Sequence, residues 1–129
     1  MSRMKQPSRK PTDAELAILR ILWTLGPSTV RDVAIEMGRE EAYTTVLKLL
    51  QIMTDKQLVR RNESARTHIY EAAHSEEQMQ QHLVADLLDR AFDGSAATLV
   101  MRALSAKKTS AKDLADIRKL LKSKQGGAE

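Results

Sequence analysis

No cysteine occurs in the 129 residues. Disulfide frameworks, thiolate metal sites, cysteine nucleophiles and thiol redox switches are therefore excluded. The absence fits a reducing compartment, and a cytoplasmic location is expected. Aromatic residues make up only 3% of the chain. The core must come from Leu, Ile, Val, Met and Ala, which suit packed helices better than a sheet sandwich. No segment approaches the roughly 20 apolar residues of a membrane span, so no membrane insertion is expected. The opening MSRMKQPSRKP is basic but leads into no apolar run. It reads as a loose arm over residues 1–10, not as a leader peptide. Catalytic signatures are missing too: there is no Gly-rich phosphate loop, no HExxH and no GxSxG. Glu40-Glu41 and Glu76-Glu77 are adjacent carboxylates that point apart on a helix, and they suit helix starts better than acid–base chemistry. Neither an enzyme nor a cofactor is expected.

What is present is apolar patterning at helical spacing. Hydrophobic residues make up 42%, enough for one domain or two very small ones, with a dimer interface as a natural way to bury more. The formal net charge is +4 and the pI about 9.5. That permits nucleic-acid binding through a local patch but does not require it.

Thr12-Asp13-Ala14-Glu15 matches a capping box. Leu16, Leu19, Leu22 and Trp23 follow at helical spacing and predict a first helix that stops near Gly26-Pro27. Ser28-Thr29 suits a very short strand or an N-cap. Val30, Val33, Ala34 and Met37 predict a short second helix ending at Gly38, and Arg39 to Ala42 a polar turn. A third helix is predicted from about Tyr43 to Lys56, with Val46, Leu49, Leu50 and Met53 on one face. Leu58 to Arg61 and Arg66 to Tyr70 read as two strands of a hairpin around an Asn62–Ala65 turn. Helices followed directly by a hairpin in this order describe a winged helix. The fold class is mainly α with a small β-hairpin.

On the third helix, Leu49, Leu50 and Met53 fall within about 60° of Val46 at 100° per residue. Thr44, Lys48 and Gln51 lie opposite, with Thr45 at one edge. Such a short polar face with one cation fits a major groove about 12 Å wide. It equally describes any solvated helix surface. The hairpin shifts the balance, because Lys56, Arg60, Arg61, Arg66 and His68 crowd together with only Asp55 and Glu63 to offset them. Phosphate contacts from such a wing position a protein on DNA. The competing reading is an edge hairpin kept soluble by charge. For the whole protein, the alternative is a winged-helix adaptor that binds proteins and not DNA.

The remainder is helical. Ser75-Glu76-Glu77-Gln78 starts a long helix ending near Gly94, and Ser95 and Ser110 can cap two more. The stripes Leu83/Leu87/Leu88 and Leu99/Val100/Ala103/Leu104 are expected to pack against a second copy of the chain. A dimerisation region over residues 74–123 and a frayed 124–129 tail follow, with the winged helix at 11–73. His74 and His82 are eight residues apart. That is just over two helical turns, which puts their side chains about 12 Å apart along the axis, too far to share one metal ion within one chain. They read as solvated histidines.

The runs PTDAELAILRILW, GPSTVRDV, AYTTVLKLLQIMTDKQLVRR and ARTHIYEA stand in that order. They resemble the penicillinase-repressor family of winged-helix repressors. The resemblance continues through LLDRAFDGSAATLVMRALS and SAKDLADIRKLL and covers nearly all of residues 11–122. It implies a homodimer on a dyad-symmetric DNA operator. By position, it puts Thr44, Thr45 and Lys48 on the recognition helix and Arg60, Arg61 and Arg66 on the wing, with Arg9 and Lys10 of the arm adding phosphate contacts. Some family members are cleaved at an Asn-Phe bond in the dimerisation region after a membrane-bound sensor protease responds to a β-lactam. Arg102-Ala103 occupies that place here, a departure from the pattern. Copper-responsive relatives use C-terminal cysteines, which this chain lacks.

Overall fold

The computed structural model describes residues 10–38, 40–64 and 66–126. Helix α1 spans Asp13–Leu25. Its capping box is closed: Thr12 Oγ1 accepts from the Glu15 N–H at 3.2 Å, and Glu15 Oε1 accepts from the Thr12 N–H at 2.9 Å. The helix buries Ile18, Leu19 and Leu22 and stops where Gly26 takes a positive φ of 84° ahead of Pro27. Helix α2, Val30–Glu36, starts with a second capping box, between Thr29 and Asp32. It contributes Val30, Val33 and Ala34 to the core. A single 3-10 turn over Glu40–Ala42 leads into α3, Tyr43–Asp55, which buries Val46, Leu50 and Met53.

The hairpin pairs β1, Val59–Asn62, antiparallel to β2, Ile69–Ala72. The register sets Val59 opposite Ala72 and Asn62 opposite Ile69. The second strand therefore starts three residues later than the sequence predicts. Arg66, Thr67 and His68 lie in the connecting loop. The cause is tertiary. Ser28 and Tyr70 exchange two backbone hydrogen bonds, at 2.9 and 2.8 Å, and the Ala73 N–H donates to the Leu58 carbonyl at 2.9 Å. These bonds pin Tyr70, which is fully buried, beside the end of α1. Of the two roles the sequence leaves to Ser28-Thr29, both are taken: Ser28 bridges to the hairpin and Thr29 caps α2.

Helix α4 covers Glu76–Ala91, preceded by Ser75, whose side chain accepts from the Gln78 N–H. Its first turns belong to the winged helix. Met79 is buried in the same core and Leu83 packs against it. Trp23 Nε1 donates to the His74 carbonyl at 2.9 Å and ties the hairpin exit to α1. By contacts, the first compact unit runs to Ala85 and a second begins at Asp86.

The second unit holds the end of α4, then α5, Ala96–Ala106, and α6, Ala111–Gly126. Ser95 Oγ accepts from the Thr98 N–H at 3.1 Å and Ser110 Oγ from the Asp113 N–H at 3.0 Å, so both serine caps form as predicted. Helix α6 continues through Lys124, where the sequence predicts fraying. Neither α5 nor α6 has a buried residue in the single chain.

Candidate nucleic-acid interface

The core stripe of α3 decides which of its residues face outward. With Val46, Leu50 and Met53 buried, Thr44, Thr45, Lys48 and Gln51 are all exposed. Lys48 has no ion-pair partner among the described residues. Tyr43 and Ile52 are exposed as well and add apolar surface at the two ends of the helix. Hydroxyls, an amide, one cation and apolar groups together can touch base edges, a thymine methyl and phosphates.

The basic cluster of the hairpin is thinner than its sequence suggests. Lys56 turns inward, and its Nζ meets Glu15 Oε1 at 2.6 Å, with only 12% and 3% of the two side chains exposed. Burial by itself pushes the Glu15 carboxyl up. The Lys56 hydrogen bond and charge, with the bonds from Thr12, outweigh it and hold the group below the usual carboxylate range. A carboxylate in the core needs such a partner, so Lys56 serves the fold. Arg60 donates from Nη2 to the Ala73 carbonyl at 2.8 Å, and its Nη1 stands 3.6 Å from Glu71. Arg61 donates from Nε to Glu63 Oε2 at 2.7 Å. Contacts with Tyr70 and then Glu63 raise its guanidinium above the usual range.

That leaves Arg66 as the exposed wing cation with no ion-pair partner among the described residues. It borders a crevice of about 540 Å³ between the wing loop and the starts of α2 and α3. Thr29, Arg31, Tyr43 and His68 line the same crevice. Arg31 and Tyr43 were not singled out by sequence reasoning. The signal was present, since Arg31 falls in the first turn behind the Thr29 cap and Tyr43 opens α3. Only the folded chain brings the wing loop to both. Of the two arm residues implied by the resemblance, Lys10 is exposed and Arg9 lies outside the described residues.

His74 and His82 depart from expectation. Their ring centres are 6.3 Å apart with planes at 81°, not separated by two helical turns. His74 sits ahead of Ser75, off the axis of α4, and the chain folds its ring back toward His82. Burial first, then His82 and Arg60, hold the His74 imidazole below the ordinary histidine range.

In the tail, Leu87, Val100 and Leu104 are 47%, 43% and 37% exposed, and Ala103 is exposed. Leu88 and Leu99 are half-buried. Leu83 is half-buried and packs against the winged-helix core. Leu120 and Leu121 of α6, which the sequence reading left out of that surface, are 57% and 56% exposed. Arg102 and Ala103 are both exposed within α5.

A family model described as penicillinase repressor matches residues 11–123. Two curated relatives, each named "Transcriptional regulator BlaI", come from two strains of Mycobacterium tuberculosis (CDC 1551 / Oshkosh and ATCC 25618 / H37Rv). Each is 36% identical over 87 residues, which is 65% of this chain and 63% of the relative. The match thus spans a little under two thirds of those relatives' length.

Proposed function

The chain belongs to the penicillinase-repressor family of winged-helix transcriptional regulators, and from that premise we propose that it represses transcription as a homodimer bound to a dyad-symmetric DNA operator. The observation that carries the reading is the outward face of α3, where Thr44, Thr45, Lys48 and Gln51 are exposed beside the crevice that holds Arg66. In the proposed complex α3 enters the major groove and reads bases. Arg66 is the principal phosphate contact of the wing, and Arg60 and Arg61 play a lesser part because each is already held by a protein oxygen. The dimer is formed through α5, α6 and the end of α4, whose exposed leucines would otherwise remain in water. Two recognition helices then meet half-sites about 34 Å apart or a multiple of that. Release by a sensor protease would fall at Arg102-Ala103, inside α5, where the bond must first unwind to be cut.

Titrating salt against binding to random duplex DNA tests the reading. Log affinity is expected to fall with log salt at about 0.9 per phosphate contact. No measurable binding at low salt favours the protein-binding adaptor. Recovery of fragments from the organism's own genome on the purified protein is expected to yield an operator with internal dyad symmetry.

A further inference from the structure

DNA binding leaves one chemically capable pair unused. His74 closes the hairpin exit and His82 sits in the second turn of α4. Two restraints position them. Trp23 Nε1 holds the His74 carbonyl at 2.9 Å. Ser75 and Gln78 bond reciprocally, with the Ser75 N–H donating to Gln78 Oε1 at 2.9 Å and the Gln78 N–H to Ser75 Oγ at 3.1 Å, which fixes how α4 begins. The outcome is a ring-centre distance of 6.3 Å with planes at 81°. With Gln78 and Gln81 the two rings line a cavity of about 260 Å³.

That spacing can be compared with metal geometry. An imidazole nitrogen binds a zinc-like ion at about 2.1 Å, so the ion lies about 3.2 Å from each ring centre and two ligating rings stand about 5 to 6.4 Å apart. The observed 6.3 Å corresponds to rings on opposite sides of an ion, in a nearly linear arrangement. Tetrahedral ligation requires the two half-buried rings to close by about one ångström and to turn a nitrogen of each toward the ion. Edge-to-face packing of the rings explains the angle alone; Gln81 borders the same cavity, while Gln78 Oε1 is already engaged by the Ser75 N–H.

We infer that His74 and His82 form a two-histidine site for a borderline divalent transition ion such as zinc, nickel or copper(II), with Gln81 and water completing its coordination. The ion class follows from the ligands: imidazole nitrogen with no thiolate suits these metals and not calcium or magnesium. Among the described residues no group of three or more His, Cys, Asp or Glu forms a metal cluster. The protein thus offers two imidazoles, and the remaining positions fall to Gln81 and water. When loaded it fastens the hairpin exit to the second turn of α4.

Trp23 is the single tryptophan and contacts His74, so it reports on the site directly. Titrating nickel or copper(II) into the untagged full-length protein is expected to quench its fluorescence saturably, and zinc is expected to compete. His74→Asn and His82→Asn should each raise the half-saturating concentration at least about tenfold, while His68→Asn leaves it unchanged. Histidine ring signals in the wild-type protein provide a check that needs no variant: zinc should move those of His74 and His82 together and spare His68. Absent or unsaturable quenching overturns the inference. So does full affinity in both folded variants, loss of affinity with His68→Asn, or zinc-induced shifts confined to His68.

Discussion

Lys56 and Lys48 stand eight residues apart on the same helix and its cap, yet they do different work. Lys48 is exposed and Lys56 is locked to Glu15. Lys48→Ala is expected to cost about 1–3 kcal/mol at the operator and less on random DNA, as a base contact does. Equal loss on both, measured by equilibrium binding, would make it a phosphate contact. Arg66→Ala should weaken all sequences alike and lower the salt slope by about one. Lys56→Met, in contrast, strands a buried carboxylate and should cost about 3 kcal/mol of folding stability. The Glu15 carboxyl is lowered from its usual 4.5, so its folded value lies below its unfolded one. Its contribution is complete above that usual value and is lost as acid carries the protein down through the folded value. Glu15→Gln should accordingly be less stable than wild type at neutral pH, and the gap should narrow on acidification. A gap independent of pH in thermal unfolding would show that the ion pair does not supply the stability.

At the level of elements, most helix starts are written in short polar signals, α3 excepted, whose N-cap Ala42 makes no side-chain cap bond, and the ends are less so. Thr12, Thr29, Ser95 and Ser110 all cap as their sequence neighbourhoods imply. Helix α3 ends differently, since Gln57 takes a positive φ of 66° immediately after Lys56. A side chain there works against the left-handed conformation that glycine enters freely. Gln57→Gly should stabilise the fold by about 0.5 kcal/mol, read as a raised denaturation midpoint; a loss would mean that strain at this turn is negligible. The wing shows the opposite limit. Its local pattern favoured a strand starting at Arg66, but β2 starts at Ile69 because Ser28, forty-two residues before Tyr70, claims that residue's backbone. A pairing partner so remote in sequence leaves no local trace.

Across the whole molecule, the winged helix is completed by the first turns of α4. Met79 is 1% exposed inside its core, so Met79→Ala should destabilise the winged helix by about 2–5 kcal/mol, as other buried large-to-small changes do. An unchanged denaturation midpoint would detach α4 from that unit. The second unit has the reverse character, with exposed leucines and no buried residue in α5 or α6. Leu87→Asp or Leu104→Asp is expected to produce monomers in sedimentation and to weaken operator binding by removing the second half-site. Persistence of the dimer in both would move the interface elsewhere, with Leu120 and Leu121 next in order.

The amino-acid order alone was enough for the helices, their caps, the order of a winged helix, the polar face of α3 and the family. All of these depend on contacts within a few residues or on periodic burial, which a linear pattern records. Charge was a poor guide, because a lysine in the chain looks the same whether it meets water or a buried carboxylate. The removal of Lys56 from the basic patch, the three-residue shift of β2, the recruitment of Arg31 and Tyr43 beside Arg66, and the convergence of His74 on His82 all follow from contacts between distant segments. Such contacts exist only once the core of Ile18, Leu50, Met53 and Tyr70 has closed.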